Sequence, residues 1–466
     1  MPRYGLTMKK PLPATPMMPT PRPTPPPSPA AGLARRSFLR RVSLLAGAAV
    51  ATPIALRHVG AAWGQEALGE QPAEPPAIHT EGKTGGGRGS TQNVDREIKE
   101  HRDEETGARV RRLTADGSDN VHIYFTSESF VGGGADRLVF ASNRSGRFQF
   151  HLLEIAARRL VQVTDGEDLS PNMACVDPAG RLFYFDGPAL RTVKLDTLED
   201  RELYRVPEGT RPGLPSCTAD GRYVAFAYSE ARAVSTETGR IYSTMAERYY
   251  QRPGCVIMRV DTSGGGAVAA WGERAWISHV LIHPHRPDFI LFCHEGGSHV
   301  AQRMWTVDLS VQRGRTARPL YPQRPDEFCV HEYFTRQGEV GFQYELEREG
   351  QREYYNCFVR PDGSWIRQFL LPGRRPGHIQ SNSDNTLVVG DCGYLGPEDR
   401  EGGNFMSLMT HANGRAHVRR LCRRVPGSTQ HSHGHPLFSL DDQWVLYNSM
   451  IGETHNVYMA EVTSLE

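Results

Sequence analysis

One short phrase recurs seven times between residues 135 and 447, and this repeat restricts the possible folds more than any other feature of the sequence. Each copy has a turn rich in Asp, Gly, Asn or Pro, followed by a short strand-like run of apolar residues. The copies begin at Ala135, Pro178, Ala219, Arg286, Gln337, Asp384 and Asp441. Turn-and-strand units repeated every roughly 40 to 70 residues are typical of the blades of a β-propeller.

The two ends of the repeat region suggest how such a propeller closes. The last copy supplies only two strands, residues 444–447 and 456–462, whereas an isolated strand at 109–114 precedes the first copy. If the N-terminal strand completes the last blade, the ring has no open edge. We therefore expect an all-β fold, a seven-bladed β-propeller over residues 109–463, with a pair of β-sandwiches as the alternative.

Residues 1–64 have the features of an export segment. Ten of the twenty residues from Pro11 to Ala30 are proline. The twin-arginine pattern Arg35-Arg36-Ser37-Phe38-Leu39-Arg40-Arg41 follows, and then an uncharged stretch from residue 42 to 56. This order predicts a Tat signal cleaved near Gln65, and hence a periplasmic or secreted protein.

The uncharged stretch is short for a membrane anchor. Its fifteen residues would span about 22 Å as a helix, less than the roughly 30 Å of a hydrocarbon core. We therefore expect no stable membrane insertion after cleavage, and an uncleaved anchor is the alternative. Residues 65–108 are polar and Gly-rich without apolar periodicity, which predicts a disordered linker.

Charge and cysteine content exclude several classes of protein. Nine of the 54 Lys and Arg residues and none of the 53 Asp and Glu residues lie in residues 1–64. The rest of the chain is therefore net acidic, and it lacks the basic surface that nucleic-acid binding requires. The eight cysteines include no C-x-x-C pair, which excludes the common zinc and redox motifs and leaves disulfides undecided.

Histidines precede the first strand of three successive repeats. His331 and His378 stand a few residues before the strands of the fifth and sixth copies, and Gln430-His431-Ser432-His433-Gly434-His435 stands before the seventh. Equivalent positions in consecutive blades face one another across the central funnel of a radial fold. The sequence therefore predicts that these histidines converge.

The histidine-rich run predicts a metal site. Residues two apart on an extended segment point the same way, so His433 and His435 can face one point, and His431 has the same parity. The spacing alone does not decide which two of the three bind. Three or four nitrogen and oxygen ligands suit a borderline divalent metal. The alternative is an exposed histidine-rich turn.

Further phrases in the second half of the chain point to a family. In order, they are Phe292-Cys293-His294-Glu295-Gly296, Gln302-Arg303-Met304-Trp305, His331-Glu332, Gly377-His378 and Gln430-x-x-His433-x-His435. This order and spacing resemble the oligogalacturonate lyases, seven-bladed propellers that cleave short pectin fragments. The resemblance extends over roughly residues 110–462. The twin-arginine leader and the loop at residues 297–300 depart from the family pattern.

The resemblance implies a role for each matching residue. It implies a metal ion, most often Mn²⁺, held by the four residues His378, Gln430, His433 and His435. It also implies that His331 is the catalytic base and that Arg303, assigned as a catalytic residue too, contacts an acidic oligosaccharide substrate. His294 is expected to line the funnel as a second substrate-binding residue. For Arg303 the alternative is a salt bridge between blades, and for His294 it is a structural hydrogen bond at a strand end.

These roles are consistent with β-elimination from a uronate. The proton on C5 is poorly acidic while the neighbouring carboxylate stays anionic, and a bound divalent cation offsets that charge. A neutral imidazole can then take the proton near pH 7. Two other functions fit the repeats as well: an exported, non-catalytic binding propeller, and a lyase of the same architecture that acts on another uronate. His279, beside a turn, is expected to face solvent.

Overall fold

The computed structural model describes residues 86–236, 238 and 242–462. These residues form 32 strands, one α-helix and three short 3₁₀ helices. The prediction of an all-β chain is therefore confirmed. The Pro-rich segment and the twin-arginine pattern lie outside the described residues. Within the described residues, no helix is both long and apolar enough to cross a membrane.

The strands of the first half of the fold follow one another at short intervals. They are β1 (Thr91–Asn93), β2 (Lys99–Arg102), β3 (Arg109–Arg112), β4 (Asn120–His122), β5 (Phe130–Val131), β6 (Arg137–Ser142), β7 (Gln149–Glu154), β8 (Arg159–Gln162), β9 (Ala174–Val176), β10 (Arg181–Asp186), β11 (Ala189–Lys194), β12 (Asp200–Arg205), β13 (Thr210–Pro212), β14 (Ser216–Cys217), β15 (Tyr223–Glu230), β16 (Gly254–Asp261) and β17 (Gly266–Arg274). The α-helix, α1 (Met245–Gln251), lies between β15 and β16.

The strands of the second half continue in the same way. They are β18 (Ile277–His283), β19 (Arg286–His294), β20 (Met304–Asp308), β21 (Arg318–Pro319), β22 (Glu327–Phe334), β23 (Val340–Arg348), β24 (Gln351–Val359), β25 (Arg367–Leu370), β26 (Ile379–Ser381), β27 (Val388–Gly390), β28 (Phe405–Ala412), β29 (Arg415–Arg423), β30 (Leu437–Phe438), β31 (Trp444–Ile451) and β32 (Thr454–Glu461). The 3₁₀ helices are Gly297–His299, Gly402–Asn404 and Gln430–Ser432.

The repeated turns form as the sequence predicts. Before β15, the Asp220 side chain accepts hydrogen bonds from Thr218 Oγ1 (2.6 Å) and from the Arg222 backbone N–H (3.0 Å), while Gly221 adopts a φ of 61°. Before β31, Asp442 adopts nearly the same positive φ, 58°. Glycine and Asp tolerate this left-handed backbone, so each turn reverses the chain into the next strand at low cost.

Hydrogen bonding groups the strands into six sheets. Strands that follow one another in the chain are usually neighbours, for example in the order β12-β11-β10-β9 and in the order β18-β19-β20-β21. The largest sheet has eight strands and consists of two antiparallel four-stranded units, β22 to β25 and β26 to β29. Only one parallel bridge, between Leu370 and Arg415, joins these two units.

The N-terminal strands pair with distant parts of the chain. Strand β3 is antiparallel to β32, with Val110 opposite Ala460, and β2 pairs with β3 on its other side. Strand β1 pairs with β8. The described sheet that holds the last repeat therefore also contains strands from residues 99–112.

The prediction of a disordered linker over residues 65–108 is wrong from residue 86 onward, where β1 and β2 form. Both are outer strands with exposed polar side chains, so they show no apolar alternation. Between them, Val94 and Ile98 are buried in a core cluster with Leu113 and Trp444. Two isolated apolar residues and the backbone of an existing sheet edge order a segment whose composition looks disordered.

Apolar clusters fill the space between sheets that follow one another in the chain. One joins β6 to β10 through residues such as Val139 and Tyr184, and another joins β15 to β19 through Ala227 and Phe292. A further cluster joins the first sheet to the sheet of β31 and β32. The eight cysteines are free thiols, so these clusters, and not disulfides, hold the sheets together.

Candidate functional site

The site lies just before two strands that are neighbours in the repeat order, β26 and β30. His378 directly precedes β26, and His433 and His435 stand four and two residues before β30. The ring centroid of His378 lies 4.4 Å from that of His435 and 5.3 Å from that of His433. The convergence predicted from the repeats is therefore present in the structure.

These three histidines have the geometry of a metal site. One ligand nitrogen from each of His378, His433 and His435 lies within 4.8 Å of the others. Gln430 joins them, with its Nε2 3.5 Å from His435 Nε2, because the 3₁₀ helix Gln430–Ser432 turns the chain just before His433. The structure brings together all four residues for which metal binding is predicted. His431, of the same parity, lies instead beside His455, with ring centroids 6.0 Å apart.

The buried carboxylate of Asp391 orients His378. The His378 backbone N–H and Nδ1 lie 2.9 and 2.8 Å from the two Asp391 carboxylate oxygens. Nδ1 therefore carries the proton, and Nε2 keeps a lone pair for a ligand. Burial acts to raise the pKa of Asp391, but His378 and Arg424 outweigh it and hold that pKa below its ordinary value.

Burial keeps the other two imidazoles neutral. It lowers the pKa of His433 to about 4 and that of His435 well below the ordinary value, with neighbouring histidines adding to the effect. Within the part of the chain that the structure describes, Nδ1 of His433 and of His435 has no hydrogen-bond partner. Neutral, buried imidazoles with a carboxylate behind one of them, and an amide beside them, fit a borderline divalent cation.

His331 lies beside this cluster without belonging to it. Its ring centroid is 4.5 Å from that of His378. It adopts a φ of 56° within an irregularity of the β22–β23 pairing, and a bulge of this kind redirects a side chain. Burial, and then the field of His378, lowers the pKa of His331 well below its ordinary value. Its Nδ1 also lacks a hydrogen-bond partner among the described residues.

Arg303 is occupied by two carboxylates. Its Nε donates to Glu332 (2.8 Å), and its Nη1 and Nη2 donate to Glu295 (3.0 and 3.3 Å). Arg303 and Glu332 belong to neighbouring sheets, so the structure contains the salt bridge that was the alternative for Arg303. A direct contact between Arg303 and a substrate stays a prediction.

His294 is not brought to the cluster. Its Nε2 lies 2.8 Å from Glu273 Oε1, and its ring lies near Trp305. Successive residues of a strand point to opposite faces. Cys293, its neighbour on β19, instead faces Ser278, at 3.2 Å between Sγ and Oγ. The structure therefore shows His294 in the alternative role, a structural pair at a strand end.

The sequence patterns pointed to none of Asp391, Arg424, His279 and Tyr124, which also belong to the site. His279, expected to face solvent, is half-buried in a bulge of β18 with a φ of 43°, and its Nδ1 lies 2.9 Å from Glu332 Oε1. Tyr124 follows β4, and its ring centroid lies 4.8 Å from that of His435. Strand β4 precedes the first recognisable repeat, so the repeats did not point to Tyr124. The bulge at His279 changes the direction of its side chain, which the sequence spacing alone does not reveal.

The fold and the site together define a class: an all-β protein of antiparallel sheets with a candidate histidine metal centre near the start of two of their strands. A family model described as oligogalacturonate lyase matches residues 90–465. The chain therefore belongs to the oligogalacturonate lyase family, as the resemblance predicted.

Curated relatives agree with this membership. The oligogalacturonate lyase of Dickeya dadantii (strain 3937) is 26% identical over 377 residues, which cover 78% of this chain and 95% of that protein. The oligogalacturonide lyase of Pectobacterium atrosepticum (strain SCRI 1043) is 27% identical over 386 residues, with the same shares covered.

Solved structures agree as well. An oligogalacturonate lyase in complex with manganese is 26% identical, with a TM-score of 0.71 over 81% of this chain and 99% of that one. The oligogalacturonate lyase of Vibrio parahaemolyticus has the same TM-score and the same shares covered at 23% identity. At 23% identity, the likeness to the Vibrio parahaemolyticus structure shows the fold alone.

The buried charges around Glu332 generate a stability prediction. Glu332→Gln is expected to lower the free energy of unfolding at neutral pH by about 3 to 5 kcal/mol, because Arg303 stays buried with fewer compensating charges. Denaturant unfolding measures the loss. The exposed Glu347→Gln, which alters a surface pair with Arg352, is the control and should change stability by less than about 0.5 kcal/mol.

The same loss should depend on pH. Burial acts to raise the pKa of Glu332, but Arg303 and His279 hold it below its ordinary value. The charge of Glu332 then stabilises the folded state fully above its unfolded pKa of about 4.3, and this stabilisation is lost progressively as the pH falls from there toward the lower folded pKa. The difference in free energy of unfolding between wild type and Glu332→Gln should therefore shrink as the pH falls below about 4.3. A difference that stays constant as the pH falls would show that the charge of Glu332 contributes nothing.

Proposed function

We propose that this protein cleaves short oligogalacturonides, the fragments of pectin, by β-elimination and releases products with a 4,5-unsaturated uronate. The observation that carries the proposal is the cluster of His378, His433 and His435 with His331 beside it, in a chain of the oligogalacturonate lyase family. The curated relatives are named for this activity, which supports assigning the same substrate class here.

His378, Gln430, His433 and His435 would hold a divalent cation, and Mn²⁺ is proposed because a solved relative is a complex with manganese. Such an ion would offset the charge of the substrate carboxylate and so make the neighbouring C5 proton easier to remove. Asp391 and Arg424 would position these ligands through hydrogen bonds. Asp391 fixes the tautomer of His378, while Arg424 Nη1 donates to the Ser432 carbonyl (3.2 Å) at the end of the Gln430 helix.

His331 acts as the base in this proposal. Its imidazole is buried and neutral at pH 7, and its Nδ1 is not occupied by any described residue. A neutral imidazole can accept the C5 proton of a uronate whose carboxylate lies near His378, the ring next to His331. A positioned base of this kind contributes roughly 10²- to 10⁴-fold to the rate.

Arg303 contributes to the reaction through Glu332 and Glu295 in this arrangement. Glu332 is the residue after His331 on β22, so the Arg303–Glu332 pair (2.8 Å) holds the bulge that aims His331. A direct contact with the substrate would require a uronate carboxylate to replace Glu295, whose bidentate contact with Arg303 has the geometry of such a ligand.

We infer further that the sheets are the blades of a seven-bladed propeller. The eight-stranded sheet counts as two blades, because one parallel bridge joins its halves. The pairing of β3 with β32, and the apolar cluster shared by the first and last sheets, support closure by the N-terminal strands.

Export by the Tat pathway is also proposed, and it rests on the sequence around Arg35 and Arg36 alone. Replacing both by lysine in the full chain should leave the protein in the cytoplasm, because the pathway requires the arginine pair. Fractionation of the producing cells is the measurement. A periplasmic yield equal to that of the unaltered chain would refute the proposal.

The lyase activity is tested with digalacturonate and trigalacturonate, following the ultraviolet absorbance of the new conjugated double bond. Wild type should form product only with divalent metal present and should stop when EDTA is added. His331→Ala and His433→Ala should each reduce kcat by at least about 100-fold, through loss of the base and of a metal ligand. His417→Ala, on the distant strand β29, is the matched control.

The outcomes separate the alternatives. Product from another uronate oligomer, with none from galacturonides, would move the substrate and keep the mechanism. Absence of product from every uronate, together with absence of bound metal, would overturn the lyase proposal in favour of a non-catalytic binding protein.

Metal binding can be tested without turnover. Asp391→Asn should weaken Mn²⁺ binding by about 10- to 100-fold, because His378 loses the carboxylate that fixes its tautomer. Isothermal titration measures the affinity. Asp399→Asn, which touches an ion pair with Arg420, is the control. An unchanged affinity in Asp391→Asn would show that Asp391 does not orient a ligand.

A further inference from the structure

A chain of hydrogen bonds leads out of the buried ion-pair cluster toward the candidate metal centre. Glu332 Oε1 lies 2.9 Å from His279 Nδ1, and His279 Nε2 lies 3.4 Å from the Tyr124 hydroxyl. The three residues come from three different sheets: β22, β18 and the loop after β4. The β-elimination described above uses none of Tyr124, His279 or the link between them.

Tyr124 lies beside the candidate metal ligands. Its ring centroid is 4.8 Å from that of His435 and 6.0 Å from that of His378, which itself lies 4.5 Å from that of His331. The base and the Tyr124 ring therefore both border His378. An elimination needs a base and an acid close to the same sugar, because the proton leaves C5 while the bond to oxygen breaks at the neighbouring C4.

The ion-pair cluster holds His279 in place beside Tyr124. Glu332 binds both His279 Nδ1 (2.9 Å) and Arg303 Nε (2.8 Å), so the imidazole cannot turn without breaking a buried contact. Its Nε2 faces the Tyr124 oxygen at 3.4 Å, and a tyrosine hydroxyl can both donate and accept a hydrogen bond. His279 therefore fixes the position of the Tyr124 hydroxyl.

We propose that Tyr124 is the general acid of the reaction, with His279 and Glu332 as positioning residues that hold its hydroxyl. This inference rests on the proposed lyase function. His331 takes the proton from C5, and the C–H electron pair forms the C4=C5 double bond. The C4–O4 bond breaks, and O4 keeps the electron pair of that bond and takes the Tyr124 proton. Solvent then returns one proton to the Tyr124 oxygen and removes one from His331, so atoms and charge balance.

Several described polar groups near the base already serve other roles. His378, His433 and His435 present nitrogens to the candidate metal, His331 must begin neutral, and the Arg303 N–H groups are bound by carboxylates. Tyr124 is a neutral hydroxyl whose oxygen contacts a histidine backed by a carboxylate. A glycosidic oxygen leaves poorly as an alkoxide, so a donor at this position accelerates the reaction by roughly 10²- to 10⁴-fold.

The test compares two leaving groups in Tyr124→Phe, which removes only the hydroxyl. On trigalacturonate the variant should lose about 100-fold or more in kcat. On a galacturonate that carries an aryl ether at O4, whose phenoxide leaves without protonation, the variant should keep a rate near that of wild type. Mn²⁺ affinity by titration should be unchanged. His279→Gln should show a smaller loss with the same selectivity, since the shorter glutamine side chain no longer fixes the Tyr124 hydroxyl.

Two controls make the result decisive. His331→Ala should lose activity on both substrates, because the base is needed whatever leaves. Tyr447→Phe removes another buried hydroxyl, one that contacts Cys422 outside the site, and should change neither rate. Equal loss on both substrates in Tyr124→Phe, or full activity on trigalacturonate, would overturn the acid role. A wild-type protein inactive on both substrates would instead overturn the lyase function.

Discussion

The contact between Asp391 and His378 determines what the rest of the site can do. By accepting the Nδ1 proton of His378 at 2.8 Å, Asp391 turns the opposite nitrogen toward His433 and His435. His331 packs against the same ring, so its position depends on that orientation as well. Arg424 binds both the Asp391 backbone carbonyl and the end of the helix that carries Gln430. The four-residue set and the base are thus organised around one buried hydrogen bond, between Asp391 and His378.

Three residues of the site hold strained backbone conformations. His279, His331 and His435 have φ values of 43°, 56° and 46°, and each such residue costs about 1 to 3 kcal/mol. The surrounding structure offsets this cost. Glu332 binds both His279 and Arg303, and the His435 ring packs against Tyr124 and Phe125. The strain directs side chains from neighbouring strands to one place, which regular strand geometry does not achieve.

The sequence predicted those parts of the site that depend on spacing. Parity placed His433 and His435 together, and the repeats placed His378 and His331 near them. The sequence did not predict the features that depend on bulges or on contacts between distant segments. His279 escaped notice because a bulge alters its direction. The order of residues 86–108 escaped notice because the side chains of their two strands are exposed and their buried apolar residues, such as Val94 and Ile98, are isolated. The two glutamates around Arg303 come from different segments, so the sequence alone could not show that its guanidinium is occupied.

Charge then explains how a net acidic protein can receive a polyanion. The buried carboxylates of Glu295, Glu332 and Asp391 outnumber the guanidinium groups of Arg303 and Arg424 beside them, while burial keeps His331, His433 and His435 neutral. Without a bound cation, these fixed charges do not attract a uronate. A divalent ion at the histidines would reverse the local sign, and field effects are strong where water is excluded. On this argument a metal at the site is a condition for binding the substrate as well as for the chemistry that follows.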